Sequence, residues 1–197
     1  MADVKEKRRA SYIKMEDGTA EDYQLVISSA KAFSARLPDR VLSFMENLHD
    51  SYEGEQIDRY QHCLQTATRA FRDEADDETV VAALIHDIGD ILCMENHAEY
   101  AASILRPFVR NETYWMIKHH AIFQGYYYYH HIGRDRHERE QYRGHPCFEM
   151  TADFCGKWDQ MAFDPNYDSM PMDAFEPILR RVFAREPWSL HTSGLEY

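Results

Sequence analysis

The chain has no apolar run near the roughly 18 residues that a membrane span needs, and its basic start (5–9) has no apolar stretch behind it. A membrane protein is therefore not expected. Positive charge is scarce: 22 Lys and Arg stand against 34 Asp and Glu, a formal charge of −12. That balance disfavours binding to nucleic acid or to an anionic membrane. The four cysteines (Cys63, Cys93, Cys147, Cys155) form no CxxC pair, so reduced thiols in a cytoplasmic protein are expected. β-branched runs with period-2 alternation are nearly absent, which argues against sheet. No internal repeat appears apart from the tyrosine run 126–129. At 197 residues, 44% of them hydrophobic, the chain is long enough for one globular domain with a substantial core. Residues 1–20 read as a loose polar tail, and 21–197 as one helical domain. What is abundant is histidine, with 11 residues, and tyrosine, with 13.

Prolines and capping residues divide the remainder into helices. Pro38 suits a first helical position, and 41–48 continue from it until Gly54 interrupts. Over 57–72, Ile57, Tyr60, Leu64, Ala67 and Phe71 form one stripe. Asp77 can cap a helix running to about Leu92, and Asn96 another that ends by Pro107. Asn111 can cap a helix through Phe123, Pro146 can open one reaching about Ala162, and a last helix spans about 173–184. A polar, arginine-rich loop (133–144) lies between the fifth and sixth helices. The expected fold class is all-α.

The helix predicted over 80–92 is apolar on almost every side yet carries His86 and Asp87. A buried imidazole or carboxylate is costly unless paired or bound to metal. An isolated His-Asp pair is best read as an ion pair, but this pair has company. His97 shares a helix face with Ala101, Ile104, Leu105 and Phe108, and Asp159 lies within about 60° of Phe148, Ala152, Cys155 and Ala162. His119 and His120 sit among Trp115, Met116, Ile122 and Phe123. His62 falls opposite its helix's apolar stripe, so its position is open between a surface residue and a ligand. Imidazole and carboxylate donors without a thiolate pair suit iron, manganese or zinc. Up to four His and two Asp exceed the needs of one ion and point to two, about 3.5–4 Å apart, with Asp87 as the natural bridge. No HExxH occurs, and only one Glu-x-x-His (Glu46, His49), which argues against a ferritin-like bundle.

His62, His86-Asp87, His97, His120 and Asp159, with HDIGD at 86–90, resemble the HD-domain superfamily. Most of its members are phosphohydrolases with a smaller ligand set. The additional histidines resemble the mixed-valent diiron oxygenases of that superfamily, the inositol oxygenase and phosphonate-degrading branch. Residues 117–124 and 155–159 are similar to the segments carrying the fifth ligand and the last aspartate, which selects His120 over His119. Tyr52 and Glu55, ten and seven positions before His62, match the phosphonate oxygenases, as does the spacing of 24 from His62 to His86. The resemblance covers about 45–165 and implies that Tyr52 caps one iron until substrate displaces it, with Glu55 beside it.

The chain departs from those relatives in its charges. Asp90 stands where they carry lysine or histidine, and Gln124 and Gly156 stand where the phosphonate enzyme carries lysine and arginine. Arg134, Arg136, Arg143 and Lys157 are the candidate replacements for binding a phosphonate. Asp90 is expected to orient substrate and to favour a cationic group such as an ammonium, with the tyrosines at 126–129 offering a cation–π wall. The resemblance implies two Fe ions in the Fe(II)/Fe(III) state, O2 as cosubstrate and a small polar substrate, an amino or hydroxy acid or an organophosphonate. It implies oxidative cleavage of a C–C or C–P bond beside a hydroxyl- or amine-bearing carbon. The alternatives are a metal-dependent phosphohydrolase acting on a small phosphoester, and a metal- or ligand-sensing module without turnover. The oligomeric state is left open.

Overall fold

The computed structural model describes residues 8–51 and 53–190; all its regular elements there are helical. The chain divides after Arg40 into two compact units. In the first, α1 (Ala20–Ser34) starts at a capping box in which the Thr19 hydroxyl accepts the Asp22 N–H and Asp22 accepts the Thr19 N–H. Asp22 also accepts the Ser11 amide at 2.8 Å, so within the stretch expected as a tail Ser11 is tied to α1. The sequence reading passed over α1, although Thr19-x-x-Asp22 signals its start.

The second unit begins within α2 (Leu37–Met45), which continues as a 3-10 turn over Glu46–Asp50. Two aspartates then start the helices that matter most. Asp58 accepts the Gln61 N–H at 2.7 Å and caps α3 (Arg59–Arg72), and Asp76 accepts the Thr79 N–H at 2.9 Å and caps α4 (Asp77–Ile85). Val80 to Ile85 are at most 1% exposed, because α4 packs against α3, α7 (Asn111–Tyr128) and α9 (Met172–Phe183). Its first turn is anchored by Glu78. That carboxylate accepts the Arg110 amide and guanidinium, the Thr113 hydroxyl and the Arg185 guanidinium, and Arg185 also donates to the Phe108 carbonyl.

The helix expected to run from Asp77 to Leu92 stops at Ile85. Residues 86–89 form tight turns, with Ile88 N–H bonded to the Ile85 carbonyl and Asp90 N–H to that of Asp87, before α5 (Asp90–Cys93). Gly89 makes this turn fit against α6 (His97–Leu105): a Cβ there would lie 3.0 Å from the His97 Cα and from the Tyr100 Cβ. The fifth helix, α7, runs past Phe123 to Tyr128, and Gly125 leaves room for the Tyr129 ring. After α8 (Phe148–Asp153) the chain rewinds as a π-helical turn, Phe154–Asp159, with Gln160 N–H bonded to the Cys155 carbonyl at 3.0 Å. Such turns are frequent at functional sites. No described helix is long and apolar enough to cross a membrane.

Candidate metal centre

His62 comes from α3, His86 and Asp87 from the turn after α4, His97 from the first residue of α6, His120 from the middle of α7 and Asp159 from the π turn. All are buried except His97, which is half-buried. The placement of His62 resolves the ambiguity of its stripe. α3 is enclosed on two sides, by α4 and by the segment through the π turn, and the Phe163 ring stacks on the imidazole at 4.5 Å.

The donor atoms fall into two groups. His62 Nε2 lies 3.1 Å from His86 Nε2, 3.2 Å from Asp159 Oδ1 and 3.4 Å from Asp87 Oδ2. His86 Nε2 lies 3.3 Å from Asp87 Oδ2 and 3.6 Å from Asp159 Oδ1. In the second group His97 Nε2, His120 Nε2 and Asp87 Oδ1 stand 3.3–3.4 Å apart. Donors at about 2.1 Å from one ion are separated by about 3.0 Å at an octahedral corner and about 3.4 Å at a tetrahedral one. Both groups match that spacing, and Asp87 turns one oxygen into each.

The hydrogen-bond chemistry fits a cation as well. Each imidazole directs Nδ1 at a backbone carbonyl, of Ala162, Ala83, Met94 and Ile117 for His62, His86, His97 and His120, at 2.7–2.9 Å. Nδ1 must donate there, which fixes the tautomer and leaves Nε2 as a lone pair. Without a cation, acceptors face acceptors. A proton can serve at His86, which burial pushes down but Asp87 and Asp159 push further up. It does not serve at His120, which burial holds below the usual imidazole range. Asp87 is costly to bury, yet His86, His120 and Arg59 hold it well below the usual carboxylate range. Asp159 Oδ2 is buried with no hydrogen-bond partner among the described residues. Metal ions at the two groups satisfy all of these atoms together.

A cavity of about 620 Å³ opens onto the second group, lined by Asp87, His97, His120 and Asp159 and by Glu55, Asp90, Gln124, Tyr127, Tyr128 and Phe163. Asp90, predicted to contact substrate, lies in its wall; burial and the Asp87 charge push its carboxyl up to about 6, and its Oδ1 lies 3.1 Å from His97 Nδ1. Gln124 anchors its amide on Asp159 Oδ1 at 3.0 Å and has Oε1 buried with no hydrogen-bond partner among the described residues. Gly156, where the phosphonate enzyme has arginine, makes room for the Tyr127 hydroxyl, 2.7 Å from where a Cβ would stand. His119 stacks on Trp115 instead of joining the donors.

The other expected cations are not brought to the cavity. Arg134 pairs with Glu138 and covers Tyr129, Arg143 pairs with Glu140 and Glu149, and Lys157 pairs with Asp153. Arg136 covers Tyr126. A guanidinium over these two rings corrects the tyrosine wall: of residues 126–129, only Tyr127 and Tyr128 line the cavity. Tyr52 lies outside the described residues. Arg59 was missed. It lines the cavity, with Nε 2.9 Å from Asp90, Nη2 3.1 Å from Glu55 and Nη1 3.5 Å from Asp87. The signal was its place three residues before His62, on the same face of α3.

A helical domain whose core gathers six His and Asp donors, four of them on the wall of a cavity, defines the class, a protein able to hold metal. Residues 41–152 match the HD domain family. The chain belongs to that family, whose members are generally metal-dependent enzymes, hydrolases or oxygenases. No curated protein matches it.

Proposed function

We propose that the protein is a non-haem diiron oxygenase that uses O2 to cleave a C–C or C–P bond of a small polar substrate, beside a hydroxyl- or amine-bearing carbon. The observation that carries this reading is Asp87, one oxygen among His62, His86 and Asp159, the other between His97 and His120. His62, His86, Asp87 and Asp159 alone suffice for one ion; His97 and His120 have a purpose if there are two. Two irons held there would activate O2 and give a chelating substrate a Lewis-acid seat, the electrons that O2 takes up coming from the substrate carbon whose bond is cleaved.

The chain's own residues do the rest. The carbonyls behind each Nδ1 keep the four imidazoles aimed, and Asp87 keeps the two metal positions in register. Tyr127, Tyr128 and Phe163 form an aromatic wall that limits water at the reacting carbon. Glu55 and Asp90 present carboxylates along the path to His97 and His120, where they orient a hydroxyl or an ammonium. The gating role of Tyr52 belongs to the same proposal.

Metal analysis with EPR after partial reduction tests this. About two irons per chain and a mixed-valent S = 1/2 signal below g = 2 support it. One Mn, Zn or Mg per chain and no such signal, after expression with ample iron, supports a phosphohydrolase. Arg59 is the observation favouring that second reading, since a guanidinium beside the donors also suits a phosphoester.

A further inference from the structure

Arg59 is the sole lysine or arginine among the described residues that line the cavity. Its side chain is 11% exposed and three carboxylates surround it: Glu55 accepts from Nη2 at 3.1 Å, Asp90 lies 2.9 Å from Nε and Asp87 lies 3.5 Å from Nη1. Asp87 faces the metal positions as well, so the guanidinium sits at the edge of the centre. Of the other candidate cations, Arg134, Arg143 and Lys157 are held by carboxylates and Arg136 lies over the Tyr126 ring, and none of them lines the cavity. Positions 124 and 156, cationic in the phosphonate enzyme the chain resembles, are Gln and Gly.

We infer that Arg59 is the specificity-determining residue for an oxyanion head group on the substrate, a carboxylate or phosphonate that bridges the guanidinium and the adjacent metal position. This rests on the cavity being the substrate site, as proposed above. Two features carry it. A guanidinium fork matches an oxyanion's geometry, and the surrounding carboxylates preorganise that fork, so little order is lost on binding. The electrostatics also depend on metal. Without it, Glu55, Asp87, Asp90 and Asp159 outweigh Arg59 and repel an anion; two multivalent ions reverse the sign, and the loaded cavity draws one in.

The test is calorimetric titration of the metal-loaded protein with methylphosphonate, an oxyanion without an ammonium, using wild type, Arg59→Gln and Arg59→Lys, with metal content measured for each. Wild type should bind only when loaded. Arg59→Gln should keep its metal and weaken binding ~30-fold, and Arg59→Lys, which keeps the charge but loses the fork, should weaken it ~5-fold, the scale of a charge-assisted pair. Either variant binding within about twofold of wild type while retaining metal overturns the inference. So does loss of metal from both variants, because Arg59 would then serve to hold Asp87 and Asp90. The titration is run with whichever metal the protein holds. An absent mixed-valent signal therefore counts against the oxygenase reading alone, and the affinities decide on Arg59.

Discussion

Gly89→Ala is the sharpest perturbation, because it tests how the HDIGD turn shapes the metal centre without touching a donor. Gly89 has φ −84°, which alanine adopts without strain, so the only change is one methyl group. That methyl would lie 3.0 Å from the His97 Cα, 3.0 Å from the Tyr100 Cβ and 3.1 Å from the His97 carbonyl oxygen, where ordinary contact begins at 3.4 Å. Two of these atoms are backbone, so α6 must give by a few tenths of an ångström at the residue that carries His97. Overpacking of this kind costs about 1–3 kcal/mol, or roughly 2–10 °C in Tm for a chain of this size. His62, His86 and Asp159 lie on other elements and stay in place. Metal titration of Gly89→Ala should therefore show one ion bound as in wild type and the other weakened ~10-fold or more, with the Tm lowered. Two ions bound with wild-type affinity would refute the reasoning, and so would equal weakening of both.

The other predictions follow from single partners. His97→Ala should leave one metal ion per chain and Asp87→Ala none, read by elemental analysis; His97→Ala retaining both would remove His97 from the ligand set. Glu78→Gln withdraws a buried charge shared by the part-exposed Arg110 and Arg185, and should cost about 1–3 kcal/mol in urea unfolding with metal content unchanged. A loss under about 1 kcal/mol would show that the cluster is not an anchor. Asp76 is pushed up by burial and further down by the Thr79 N–H and by Arg110, so its folded pKa lies below the ordinary 3.8. A depressed carboxyl stabilises above its unfolded pKa and loses that contribution as pH falls through the folded one. Asp76→Ala should thus be less stable than wild type at pH 7, by about 1 kcal/mol, and the gap should narrow as pH falls below the ordinary 3.8 and through the folded pKa. A gap independent of pH would refute the sign.

The candidate metal donors were more legible than their surroundings for a physical reason. Histidine and aspartate among apolar residues carry a desolvation cost wherever the helix ends. His86, Asp87 and Asp159 therefore stand out even though α4 stops seven residues short of its expected end and the helix expected from Pro146 to Ala162 rewinds through a π turn. His62 did not, because stripe arithmetic assumes a helix with one covered face, and Thr66 and Thr68 on α3 are fully buried beside it. Their hydroxyls bond back to the His62 and Leu64 carbonyls, so α3 carries polar residues inside at little cost and its interior looks polar in sequence. Cations gave the reverse error. An arginine is read as solvated by default, and 133–144 carries several, so three of the four candidate cations, Arg134, Arg136 and Arg143, were drawn from it. Arg134 and Arg143 have acidic neighbours within a few residues, Glu138 and Glu140, and Arg136 lies over the Tyr126 ring. Arg59 has such a neighbour too, Glu55 at i−4, but its other two partners, Asp87 and Asp90, come from the HDIGD turn. Only the packing of α3 against α4 supplies them, which is why a cation at the centre of the site reads along the chain like one on its surface.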